Sequence, residues 1–474
     1  MLDFSDFPSI KSPIGFFEEI SKIPHGSGNT KGIADYIEKF AKERGLFCVR
    51  DSLDNIIIRK PATPGYESKP GVIFQGHTDM VAEKTPNANI DMQKEGLRLY
   101  RDGDFLRAEG TTLGGDDGIA VSYALAVLDA DDIEHPEFEA VFTTDEEVGL
   151  TGAKGIDLSP LHGRMLINID CDHEGTFTVG CAGGIRADIS LPVTRENFSG
   201  YAYRITLGGL LGGHSGGDID KGRQNAIKYL SYLLSLIPDA RLTAFSGGNA
   251  DNAIPRDADA TVILASPISE EIHTKLLSET KKIKDCEPSA TLDITEIDAQ
   301  DIPLSAESSA KILSLITAEP NGVIGMSEDI EGLVETSLNL GIARLENNVM
   351  KIAYALRSSV ETKKAELADR VQKIAESFGA TVEWRGDYPG WAYRKDSYLR
   401  DKMSEVYRDM YGEDPRVIAI HAGLECGILI DKLPELDCVA FGPDNFDIHT
   451  PNEHLVLPSY ARVWEYLKEL LKRI

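Results

Sequence analysis

The sequence predicts an α/β protein: a mostly parallel sheet, split by an inserted α+β segment built in two parts. Three observations carry this. Short apolar strands alternate with helices up to Ile169. From about Ile185 the texture changes to alternating strands with fewer helices, and after GWAYR (390–394) the first texture resumes. The expected division is 1–186 and 394–474 for the split domain and 187–393 for the insert. At 474 residues the chain exceeds what one core organises.

Residues 33–45 carry a helical apolar stripe closed by a glycine, and 55–59 and 72–75 are short buried runs of strand length. Residues 117–130 are small and apolar, with no Gly or Pro after Gly118, as in a buried helix. Residues 138–143 and 165–169 are strands again. Parallel sheets place function at the carboxyl ends of their strands, where His77, Asp145, Glu146, Glu147 and Asp170 fall. In the insert, ADISLPV and AYRITLGG read as strands, 223–237 as a helix and 258–265 as a strand. A comparable order follows: helix 310–317, strand 349–357, helix 363–378. Two tandem strand-rich halves are expected. Then come a helix at 399–410, the strands VIAI (417–420) and CVAF (438–441), and an amphipathic helix at 460–474.

Composition excludes several classes. Hydrophobic residues at 42% and charged residues at 27% are those of a globular protein, without a low-complexity tract. Acidic residues outnumber basic ones 77 to 49, a net charge of −28, which argues against nucleic acid and anionic membrane as partners. Six cysteines without a C-x-x-C pair read as reduced thiols rather than a disulfide framework. The N-terminus MLDFSDFPSI has no basic, apolar leader, and no run reaches the roughly 18 apolar residues of a membrane helix. A cytoplasmic protein is expected.

The chemistry lies in five fragments: FQGHTDM (74–80), GGDDG (114–118), TTDEEVGLTGA (143–153), MLINID ending at Asp170, and FDIHTPNEH (446–454). His77 suits a metal, and Asp79, two residues on and on the same side, can hold its ring; such a pair can equally tie down a turn. Asp116 and Asp117 open a helix, where carboxylates are also ordinary caps, but the glycines before them let backbone approach a site closely. Glu146 and Glu147 diverge, so one can bind metal while the other faces a water. Glu18–Glu19 and Glu270–Glu271, without a preceding strand, read as solvated helix faces. His77, His214 and His449 follow strands in Gly- or Pro-marked turns. His25, His135, His162, His173, His273 and His454 read as surface or cap residues, and His421 is undecided. His77, His449, Asp116, Glu147 and Asp170 make five ligands, three of them anionic. Two divalent ions match that inventory better than one. Nitrogen and oxygen donors admit zinc, manganese or cobalt.

At these residues the chain resembles the dinuclear metallopeptidase family of aminoacylases, carboxypeptidases and dipeptidases. The blocks G-H-x-D, G-x-D-D-G, D-E-E-x-G, the strand-end Asp and the C-terminal His stand in family order. The resemblance implies a phosphorylase/hydrolase-like catalytic domain with an inserted two-part lid. It implies that His77 and Asp170 bind one ion and Glu147 and His449 the other, Zn being the first choice. Asp116 would bridge them, with a cis peptide before Asp117, while Glu146 acts as general base and Asp79 orients His77. SKIPHGSGNTKGIADYI, GLLGGHSGGDI, GNADNAIPR and HAGLECG are similar to a bacterial subgroup acting on dipeptides, including aminoacyl-histidines, as cytoplasmic homodimers joined through the lid. By the same likeness His214 would stabilise an oxyanion, and Asn252 and Arg357 would hold the substrate carboxylate. His214 can also be incidental to a Gly-rich turn, and Arg357 can serve in a structural ion pair. Glu425 and Cys426 match the subgroup but receive no chemistry. An amidase or aminoacylase-type hydrolase on the same site is the alternative.

Overall fold

A computed structural model describes residues 2–298 and 301–474. The chain forms two units. One comprises Met1–Gly180, Tyr393–Ala419 and Leu424–Ile474; the other comprises Cys181–Ala392 with Ile420–Gly423.

The first unit is organised by an eight-stranded sheet. Its order is Phe47–Arg50, Ile56–Lys60, Phe138–Thr143, Val72–His77, Met165–Asn168, Asp437–Ala440, Thr176–Cys181 and Arg416–Ile420. The middle four strands run parallel. Phe138–Thr143, Val72–His77 and Met165–Asn168 are buried at every position, which is why they read as mostly apolar runs rather than alternating ones. Phe47–Arg50 pairs antiparallel with Ile56–Lys60, Ile56–Lys60 with Phe138–Thr143, and Asp437–Ala440 with Thr176–Cys181. Helices Lys11–Ile20 and Gly115–Asp129 pack on each other, the latter also against Val72–His77. A second, four-stranded sheet joins Leu99–Asp102 and Phe105–Ala108 to His454–Val456 and Asn445–Phe446. Its strands are too short and polar to stand out in the sequence.

The second unit holds a nine-stranded antiparallel sheet. Its two halves are nested rather than tandem. Tyr201–Gly208, Arg241–Gly247, Ala258–Leu264 and Thr291–Ile297, with helices Ala226–Ser235 and Glu270–Lys282, form one β-α-β-β-α-β half. The other uses Val334–Glu346, Val349–Ser358 and Thr381–Tyr388, with helices Ala306–Ala318 and Glu361–Ser377. Its first strand is Gly183–Pro192, which lies between Val349–Ser358 and Thr381–Tyr388. The first half is thus inserted into the second, and strands Arg241–Gly247 and Val334–Glu346 join them into one sheet. Capping sets the helix starts: Asn225 accepts from Ile227 N and Lys228 N, so the helix expected from 223 begins at Ala226.

Candidate metal centre

Three adjacent parallel strands deliver the chemistry to one edge of the first unit. In register, His77 lies opposite Thr143 and Gln75 opposite Asn168. The chains leaving those strands therefore carry His77, Glu146–Glu147 and Asp170 out on the same side. Gly76 makes room for the fourth contribution. A Cβ there would lie 2.2 Å from Ala120 Cβ and 2.3 Å from Asp117 Oδ2, so only glycine lets the helix bearing Asp116 and Asp117 come this close. The turn into that helix uses Gly114 at φ +70°. Asp116 and Asp117 keep non-helical dihedrals, and the peptide bond between them is cis. Further along, Tyr123 stacks on Tyr460 and donates to its carbonyl at 2.7 Å, anchoring this helix to Leu457–Arg473.

All five expected ligands converge. His77 Nε2 is 3.0 Å from Asp116 Oδ1, His449 Nε2 is 3.1 Å from Asp116 Oδ2, and His449 Nε2 is 2.9 Å from Glu147 Oε1. His77, Asp116 and Asp170 form one group whose ligand atoms lie within 4.8 Å of one another, and Asp116, Glu147 and His449 form a second. Asp116 belongs to both. A third group joins His77 to Glu146 and Glu147.

These residues fit divalent cations. Glu147 Oε1 is buried with no hydrogen-bond partner: it approaches His449 Nε2 without the alignment of a hydrogen bond, as two ligands of a common ion do. Burial, then the neighbouring Asp116, pushes the Asp170 carboxyl up to about 8. Burial likewise raises Asp117 and Glu146 well above the carboxylate range. The Asp116 and Glu147 carboxylates beside its ring hold His449 up at about 10. A crowd of buried acids stabilises positive charge placed among them. The donors are nitrogen and oxygen; the nearby thiol of Cys171 points to Thr178 Oγ1 instead, at 3.5 Å.

Asp79 does more than the sequence implied. The His77 ring donates through Nδ1 to the Asp79 carbonyl at 2.9 Å, with the Asp79 carboxylate at 3.4 Å. That carboxylate accepts from Glu146 N at 3.0 Å, Glu147 N at 3.4 Å and Ser27 Oγ at 2.8 Å. One aspartate therefore fixes both the candidate ligand His77 and the backbone of the glutamate pair.

Sequence reasoning passed over two supporting residues. Ser27 lies in PHGSGN and reaches Asp79 from another part of the chain. Glu453 lies four residues beyond His449 and accepts from the backbone N–H groups of Leu113, Gly114, Gly115 and Asp116 at 2.7, 3.0, 2.8 and 3.3 Å. It caps the turn that presents Asp116, which no side chain of that helix caps itself. A carboxylate beside the last histidine block was the available signal. His25 and His135, expected as surface or cap residues, are buried, and each ring turns Nδ1 to a nearby carbonyl, of Ile23 and Pro136.

The remaining three candidates lie in the second unit. His214 is held as a neutral ring: Gly216 N and Gly217 N both donate to Nδ1 at 3.2 Å, which leaves the proton on Nε2. Burial and then Arg357 lower its affinity for a second proton. Arg357 is buried, donates to Tyr388 Oη at 3.1 Å and keeps an unpartnered Nε. Asn252 is exposed, and its carbonyl accepts from Ser215 N at 2.8 Å. The undecided His421 is buried, with Nε2 2.7 Å from Ser337 Oγ.

The family model described as Peptidase family M20/M25/M40 matches residues 73–473, a span that includes all five candidate ligands. The chain belongs to peptidase family M20/M25/M40. Along 467 residues it is 37% identical to the cytosol non-specific dipeptidase of Escherichia coli, covering 97% of this chain and 96% of that protein. It also superposes on the aminoacylhistidine dipeptidase from Vibrio alginolyticus with a TM-score of 0.92 at 36% identity, covering 98% of this chain and 97% of that one. The aminopeptidase PepT of Bacillus cereus shares the fold, with a TM-score of 0.57 at 16% identity over 98% of both chains. This M20/M25/M40 protein is a metallopeptidase, and these relatives do not favour the amidase alternative. Among the described residues, no helix is long and apolar enough to cross a membrane.

Proposed function

We propose that the protein is a dipeptidase that hydrolyses the single peptide bond of short substrates, aminoacyl-histidines among them. The observation that carries this is the pair of ligand groups sharing Asp116, with the uncommitted Glu146 beside them. His77 and Asp170 would hold one ion and Glu147 and His449 the other, with Asp116 on both; zinc is the first choice, manganese and cobalt the others. Such ions polarise a carbonyl and lower the pKa of water. Glu146, its carboxyl raised by burial, takes the proton of the attacking water and returns it to the leaving amine. Asp79 keeps Glu146 and His77 in place through its hydrogen bonds. His214, with its proton on Nε2, is a donor for the oxyanion, and Arg357 with Asn252 reads the substrate carboxylate. A site that must satisfy both ends of a substrate restricts it to short peptides. We assign residues 1–186 and 394–474 to the catalytic domain and 187–393 to a lid through which two copies pair in the cytoplasm.

The test compares Xaa-His dipeptides, tripeptides and N-acyl amino acids, with wild type and Glu146→Gln. Dipeptides are the preferred substrates. Glu146→Gln retains its metal and loses roughly 10²–10⁴-fold in kcat. Preferred cleavage of N-acyl amino acids, or a Glu146→Gln variant as fast as wild type, overturns the reading.

A further inference from the structure

One buried acid has no part in this chemistry. Glu425 opens the helix Glu425–Lys432 and is fully buried. Its Oε2 accepts from Thr143 Oγ1 at 2.5 Å and from Gln75 Nε2 at 2.6 Å, while its Oε1 is buried with no partner. Both partners donate to Oε2, contacts that an ionised carboxylate accepts, while burial raises the carboxyl above its ordinary range. A buried carboxylate with an unpaired oxygen is costly unless positive charge nearby compensates it.

The partners lie on the strands that bear the ligands. Gln75 Nε2 also donates to Thr143 Oγ1 at 3.2 Å, and Gln75 Oε1 accepts from Asn168 Nδ2 at 2.7 Å. Gln75 stands two residues before His77, Thr143 three before Glu146, and Asn168 two before Asp170. The chain Asn168–Gln75–Glu425–Thr143 is therefore a polar row directly behind the ligands, crossing three adjacent strands.

We propose that Glu425 is a positioning residue of the metal centre: it locks the ends of the three ligand-bearing strands through Gln75 and Thr143, and its charge strengthens the hold on the cations. This rests on the dinuclear reading above. Glu425→Gln keeps the shape and an acceptor but removes the charge. Metal-free wild type and variant are titrated with Zn²⁺ against a chromophoric chelator, and thermal unfolding is followed in excess chelator. The variant binds Zn²⁺ about tenfold more weakly or worse, while its metal-free Tm stays equal to or above that of wild type. With saturating Zn²⁺, KM for a dipeptide is unchanged. An affinity within twofold of wild type overturns the proposal, leaving Glu425 a purely structural contact. If Glu425→Gln does not fold, Thr143→Val, which keeps the charge but removes one tether, takes its place: a weaker Zn²⁺ affinity supports the proposal and an unchanged one rejects it. Wild-type uptake of two equivalents tests the dinuclear reading separately; a wild type that binds no Zn²⁺ rejects both.

Discussion

At the scale of single residues, Glu453 carries the most backbone for its size. Four N–H groups converge on its two oxygens, and Asn445 Nδ2 adds a fifth donor at 3.1 Å. Glu453→Gln replaces charge-assisted bonds with neutral ones and points an amide donor at other donors. It is expected to cost about 2–3 kcal/mol in urea unfolding and to weaken metal binding, because the turn it holds presents Asp116. The candidate ligands that the fold brings together were legible in the sequence because they stand at strand ends or in the turns that follow, so local pattern announces them. Glu453, Ser27 and Glu425 were not legible as partners. What each does depends on groups far away in the chain, and an acidic sequence offers many carboxylates that look the same.

At the scale of elements, helix Ala306–Ala318 ends on a cation. Lys228 donates from Nζ to the carbonyls of Ile316, Thr317 and Glu319 at 2.5, 3.1 and 2.6 Å. Beside it the Glu319 carboxyl is buried with neither oxygen partnered, and burial pushes it up to about 8. Burial also brings Lys228 down to about 8. The signs differ. Glu319 keeps its proton in the fold, so it costs nothing at pH 4; the penalty grows as pH rises above 4.5 and is complete beyond about 8. Lys228 resists its charge, so its penalty is present below about 8 and disappears toward 10.5. Glu319→Gln is thus expected to leave stability unchanged at pH 4 and raise it at pH 9 by on the order of a few kcal/mol, as read from urea unfolding at both pH values. Elements of the parallel core were legible at nearly their true bounds, since full burial leaves a mostly apolar run without alternation. The nesting of the second unit was not, because the pairing of Gly183–Pro192 with strands beyond Val349 is a long-range choice that no local pattern encodes.

At the scale of the molecule, metal and fold are linked. Cations that bind the folded chain stabilise it by about 3 kcal/mol per site at a hundredfold excess over Kd. Chelation is therefore expected to lower Tm, and to speed hydrogen exchange in Val72–His77 and Gly115–Asp129 of the first unit while leaving Gly183–Pro192 of the second unchanged. Equal acceleration in both strands would show that metal is not confined to the proposed ligands.

Strand Asp437–Ala440 joins the parallel core between Met165–Asn168 and Thr176–Cys181, more than 250 residues after either is made. On the ribosome the first unit must therefore wait with its sheet divided, exposing the unpaired edge of a strand that is buried throughout in the fold until Asp437–Ala440 has emerged. Chains cut short before Asp437 would yield no smaller enzyme, only a sticky fragment for chaperones and proteases to clear.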